Sequence, residues 1–113
     1  MSDGLPGAAE ARVDSAKLTE YLLSLSHRDG RGKAKFFIQF GFSPDMPAQL
    51  EASLRKHGLT QPVVDKTSSE HGVKYVLECS VSSPDGRNPC IRSVWVVDAG
   101  HTTPRLVTAY PLG

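Results

Sequence analysis

Val73 to Val81 reads VKYVLECSV, and this stretch decides the fold class. Val73, Tyr75, Leu77, Cys79 and Val81 alternate with Lys74, Val76, Glu78 and Ser80, the period of two expected of a strand with one face on a core. Downstream, Ser83-Pro84-Asp85-Gly86 supplies a turn, because Pro fixes φ at its second position and Gly accepts a left-handed backbone. Ile91 to Ala99, IRSVWVVDA, follows as a strand that is apolar on both faces after Ser93. Gly100 to Pro104 turns the chain again, and Arg105 to Tyr110, RLVTAY, is the last strand, ended by Pro111. Immediately upstream, the β-branched run Val63 to Thr67 reads as an edge strand.

Before Gln61 the period is helical. Asp14 or Ser15 can cap a first helix whose stripe is Leu18, Tyr21, Leu22 and Leu25, ending near Ser26. Ala34, Phe37 and Ile38 form a second stripe, with Gly41 as its stop. Ser43-Pro44-Asp45 opens a third helix with Leu50 and Leu54 on its apolar side, and Lys56-His57-Gly58 is expected to close it with cations against the negative helix end. The expectation is an α+β fold: two to three N-terminal helices packed on a C-terminal antiparallel sheet of three to four strands. Residues 1–13, rich in Gly and Ala, read as a flexible arm and 14–113 as one domain.

Composition narrows the function classes. With 113 residues, 39% hydrophobic and 22% charged, the chain is globular rather than disordered. Thirteen Lys and Arg against twelve Asp and Glu give +1, which excludes a strongly basic whole-molecule footprint and leaves room for a local patch. No apolar run reaches the ~20 residues that span a bilayer, so no membrane partner is expected and the location reads as cytoplasmic. Cys79 and Cys90 cannot build a disulfide scaffold or a Cys-only zinc site, and the cytosol would keep them reduced; whether they pair depends on hairpin register. His27, His57, His71 and His101 show no short pair spacing, so neither a metal nor a cofactor is expected.

Three places carry candidate chemistry. From His27 to Lys35, four cations (Arg28, Arg31, Lys33, Lys35) stand against Asp29, a local charge of +3, with Gly30 and Gly32 allowing close backbone approach by an anion such as phosphate. The same residues also read as a solvated loop covering the second helix. In the last strand, Leu106, Thr108 and Tyr110 share one face by alternation, so a hydroxyl and a phenol can orient a substrate oxygen or simply bond a neighbouring strand. Arg92 sits in phase with Cys90, Val94 and Val96, which requires a partner or an open strand end; Trp95 faces the other way and reads as core.

Taken together, AKLTEYLLSLSHRDGRGKAKFFIQFGF (16–42), RSVW (92–95) and PRLVTAYP (104–111) resemble an uncharacterised family of small bacterial domains. Its members occur freestanding or at the C-terminus of phage-head-type and polymorphic-toxin proteins. The residues that carry the likeness are the His-x-x-Gly-x-x-Lys-Ala-x-x-Phe block (His27 to Phe37) and Leu-Val-Thr-Ala-Tyr-Pro (Leu106 to Pro111). The layout is also similar to the barnase/EndoU/colicin/RelE-like ribonuclease fold. That similarity implies metal-independent RNA cleavage through 2′-OH attack, giving a 2′,3′-cyclic phosphate. It implies His27 as base or acid, Lys33 and Arg92 as phosphate cations, and Thr108 and Tyr110 as positioning groups; Arg28, Arg31 and Lys35 are the phosphate-binding candidates of the basic loop itself. RNA (tRNA) and a cognate inhibitor or larger fused protein are the implied partners. The other class is a non-catalytic binding, immunity or adaptor module using the His27–Lys35 loop, suggested by the near-neutral charge and the absence of a second histidine in either motif. Whether the chain is an enzyme stays open at this level.

Overall fold

Asp14 begins the helical layer by accepting the Ala16 backbone N–H at 2.9 Å. Helix α1, Ser15–Lys17, passes directly into a π-helical turn, Leu18–Leu22. The Leu23 N–H reaches the Leu18 carbonyl at 2.8 Å, and this wider turn brings Leu18, Leu22 and Leu23 all into the core. The helix is therefore shorter and wider than the regular stripe predicts. The computed structural model describes residues 4–24, 26 and 31–112.

Helix α2 runs Arg31–Gln39, so Lys33 lies within the helix rather than in the loop before it. It ends as the sequence predicts: Gly41 has φ 103°, its N–H bonds the Ile38 carbonyl, and the Phe42 N–H bonds the Phe37 carbonyl. The accompanying apolar contact is Phe37 against Phe42, with ring centres 5.8 Å apart. Helix α3, Pro47–Thr60, starts later than Ser43-Pro44-Asp45 suggests, because Ser43 makes a turn onto the Asp45 and Met46 N–H groups and Pro47 takes the first helical position. It also continues past Gly58, whose missing side chain admits the Trp95 ring; a Cβ there would sit 3.1 Å from Trp95 Cζ2.

The sheet is a four-stranded antiparallel meander in the order β1 (Val63–Ser69), β2 (Gly72–Ser80), β3 (Cys90–Asp98), β4 (Arg105–Pro111). The α+β architecture is thus as the sequence predicts. Tyr75, Leu77, Ile91, Trp95, Leu106 and Ala109 turn one face of the sheet to Leu18, Phe37, Leu50 and Leu54 of the helical layer. The segment read as an arm is packed over its described part: Leu5, Ala11 and Val13 are buried. Arg12 adds a parallel bridge to the β4 edge, its N–H bonding the Pro104 carbonyl and its carbonyl taking the Leu106 N–H, each at 2.9 Å.

Cys79 and Cys90 form a disulfide at the base of the β2–β3 connection, in place of the reduced pair expected in a cytosolic chain. The connection it closes grips α2: Arg87 donates to the Gln39 carbonyl at 2.8 Å and lies 4.3 Å from the Phe40 ring centre. No helix among the described residues is long and apolar enough to cross a membrane.

Candidate functional site

Strand register assembles the patch of interest. Glu78 lies opposite Arg92 and Arg92 opposite Tyr110, while Val76 lies opposite Val94 and Val94 opposite Thr108. Paired residues point to the same side of a sheet, so these six side chains form two adjacent rows on the face turned away from the helices. Val76 and Val94 are 9% and 8% exposed there, yet neither belongs to the helix-side core. They are the apolar floor under the polar groups.

A shift in the β3–β4 pairing refines the strand reading. Val94 pairs with Thr108 but Trp95 pairs with Leu106, which makes Val107 an extra residue. Leu106 and Ala109 consequently both face the helices, and Arg105, Thr108 and Tyr110 all face outward. Simple alternation put Leu106 with Thr108 and Tyr110 and put Arg105 on the opposite face; the bulge reverses both assignments.

Polar contacts knit the patch together. The Arg92 Nε donates to Glu78 Oε2 at 2.8 Å, its Nη2 lies 2.5 Å from the same oxygen, and its Nη1 donates to the Tyr110 hydroxyl at 3.3 Å. Tyr110 first, and Glu78 next, push the Arg92 pKa above its ordinary value, so this guanidinium is a fixed cation and not a proton carrier. From α2, Lys33 Nζ donates to Thr108 Oγ1 at 3.3 Å and stands 5.7 Å from the Tyr110 ring centre, the same distance as the Arg92 guanidinium. Two cations, a hydroxyl and a phenol thus surround one surface. With Glu78 as the one acid of this group, the patch carries +1, a charge and donor set suited to an anionic oxygen cluster.

Of the residues predicted from sequence, Lys33, Arg92, Thr108 and Tyr110 come together. His27, Arg28 and the side chain of Arg31 lie outside the described residues. Lys35 is exposed two positions beyond Lys33, about 200° around the helix, and so does not join the patch. Glu78 was missed: its role as Arg92's partner follows from register, and no local signal in the sequence marks it. Among the described residues no three His, Cys, Asp or Glu side chains are grouped to hold a metal ion.

His57 corrects another expectation. It does not offer a charge to the end of α3; it is 1% exposed, and burial lowers its pKa from 6.5. Its Nε2 lies 2.9 Å from the Cys79 carbonyl, which can only accept, so Nε2 carries the proton. Neutral Nδ1 then accepts the Ser93 hydroxyl at 2.8 Å, and Ser93 in turn accepts the Trp95 indole N–H at 2.9 Å. This serine–histidine pair is sealed beneath Trp95, with Ser93 0% exposed, and acts as a structural tie between α3, β2 and β3 rather than as a nucleophile.

A chain of a contact-dependent growth inhibition toxin–immunity protein complex from Klebsiella pneumoniae 342 has the same fold, with a TM-score of 0.69 at 20% identity over 88% of this chain and 98% of that one. No curated protein matches the sequence. Residues 4–113 match the model of a family described as a domain of unknown function, DUF6883, and the chain belongs to that family.

Proposed function

We propose that this chain is the RNA-cleaving module of a bacterial toxin, acting without a metal. The observation that carries the reading is the meeting of Lys33, Arg92, Thr108 and Tyr110, from an α2 segment and two strands, around one solvent-facing patch. In the reaction a base removes the proton of a ribose 2′-OH, the 2′-oxygen forms a bond to phosphorus, and the bond from phosphorus to the 5′-oxygen breaks. The leaving oxygen takes a proton, and a 2′,3′-cyclic phosphate remains. Arg92 and Lys33 offset the charge that grows on the phosphorane oxygens, while Thr108 and Tyr110 donate hydrogen bonds to them. His27 is the proton-transferring group in this scheme, as the ribonuclease resemblance implies. DNA is spared because it lacks the 2′-OH. The shared fold with a chain of a toxin–immunity complex supports a toxin-associated role and a protein partner that restrains it.

The test is cleavage of total RNA or tRNA in EDTA, with product ends assayed for the cyclic phosphate. Arg92→Ala should lower the rate by about 10²-fold or more, the usual effect of removing one charge-stabilising donor, and His27→Ala should abolish it. Intact RNA after prolonged incubation with wild-type protein would sink the reading. It would favour the binding or immunity module instead, which the neutralising Arg92–Glu78 pair supports.

A further inference from the structure

A second cationic surface lies beside β4, away from the patch just described. A groove of about 490 Å³ is lined by Arg12, Lys17, Arg55 and Arg105, with Asp14 as its acid. We propose that this groove holds the phosphodiester backbone of an RNA strand leading into the patch. The inference rests on the RNA-cleavage reading and assigns that site its substrate-binding extension.

Two of the cations, Arg55 and Arg105, are held in place by acids that do not line the groove. Glu51 takes Arg55 Nε at 3.1 Å, and the Ala11 carbonyl accepts from its Nη1. Asp98 takes Arg105 Nε at 2.7 Å and Nη2 at 3.1 Å. Each guanidinium carries five N–H donors, so these bonds orient the group and leave further donors for a ligand. Asp14 is engaged by the Ala16 N–H. Arg12 has its backbone clamped to β4 on both sides while its side chain is exposed. Ordered arginine forks match phosphate oxygens.

Position selects a polymer over a single phosphate. The extra residue at Val107 puts Arg105 on the same outward side as Thr108 and Tyr110. Across the bulge Arg105 lies opposite Val96, two and four β3 residues from Val94 and Arg92, which face Thr108 and Tyr110, so it stands about 7 and 13 Å from those two at ~3.3 Å per residue. One ligand touching both surfaces must present several successive anionic groups. A strand whose reactive ribose sits at Lys33 and Arg92 does so with its neighbouring phosphates.

The test uses the full chain and a fluorescent 2′-O-methyl RNA oligonucleotide of ten residues, which cannot be cleaved, titrated by anisotropy from low to high salt. Wild type should bind with a steep salt dependence. Arg12→Ala with Lys17→Ala should reduce the slope of log K against log salt by about 1.4, at ~0.7 per single-strand contact. Arg12→Glu should weaken binding about tenfold or more at low salt. Cleavage of a dinucleotide should be unchanged in both variants while cleavage of long RNA falls, and an unshifted Trp95 emission shows that the fold is intact. Unchanged oligonucleotide affinity and slope in folded Arg12→Glu would overturn the groove while leaving dinucleotide cleavage standing. Oligonucleotide binding without any cleavage would support the groove and sink the cleavage reading alone. Preference for a polyglutamate peptide over the oligonucleotide would overturn the proposal in favour of an acidic protein surface.

Discussion

Replacing Ser93 by Ala tests whether the buried chain of hydrogen bonds through His57 holds the helical layer to the sheet. The substitution removes one oxygen from a site that is 0% exposed and introduces no new contact. It strands two groups, the Trp95 indole N–H that donated to Ser93 and the His57 Nδ1 that accepted from it. An orphaned buried polar group costs about 1–3 kcal/mol, so the pair should cost about 2–6 kcal/mol. That is a large part of the roughly 5–15 kcal/mol that stabilises a domain. Urea unfolding followed by the fluorescence of Trp95, the single tryptophan, measures it directly. A loss below about 0.5 kcal/mol at pH 7.5 with an unchanged m-value would refute the assigned bonds, since such a loss is typical of an unconstrained surface site. The same assay reads pH dependence. Burial keeps folded His57 neutral below its ordinary pKa of 6.5, so in that range the unfolded chain binds the extra proton. Its contribution to stability is fully present above pH 6.5 and is lost as pH falls, by about 1.4 kcal/mol per unit while the folded ring stays neutral. His57→Gln, which keeps a donor and an acceptor, should flatten the slope between pH 7 and 5.

Three further outcomes follow from the packing. Reducing the Cys79–Cys90 disulfide, whose ends are 11 residues apart, should cost about 3 kcal/mol by freeing the loop in the unfolded chain, read as a drop in the urea midpoint with reductant. Gly58→Val should lower stability by about 1–3 kcal/mol, because a Cβ already meets Trp95 at 3.1 Å and two methyl groups must be added beyond it; an unchanged melting temperature would contradict the close approach. Gly41→Ala should also destabilise, since φ is 103° and its Cβ would lie 3.0 Å from Pro84, with thermal melting as the check.

Local signals determined the strands and one helix end: the alternation in VKYVLECSV marked a strand with one face on the core, and Gly41 marked the end of α2, because side-chain spacing and left-handed backbone are local properties. Local rules did not fix where α3 begins and ends, since Pro47 and the Trp95 contact at Gly58 override the capping signals of Ser43 and Lys56. Arg92, Thr108, Tyr110 and Lys33 were legible as candidates, being polar groups in otherwise apolar strands or beside glycines. Their meeting depends on strand register and on the packing of α2 beside β4, which brings together residues 75 positions apart. Glu78 joined them only through the β2–β3 pairing, the β3–β4 bulge turned Arg105 outward, and His57 changed from an expected helix-end cation to a buried neutral ring. One extra residue in a strand reverses which face every later side chain occupies, and burial reverses which protonation state is stable. The sequence by itself determines which groups this protein has; the tertiary structure decides which of them meet and whether water reaches them.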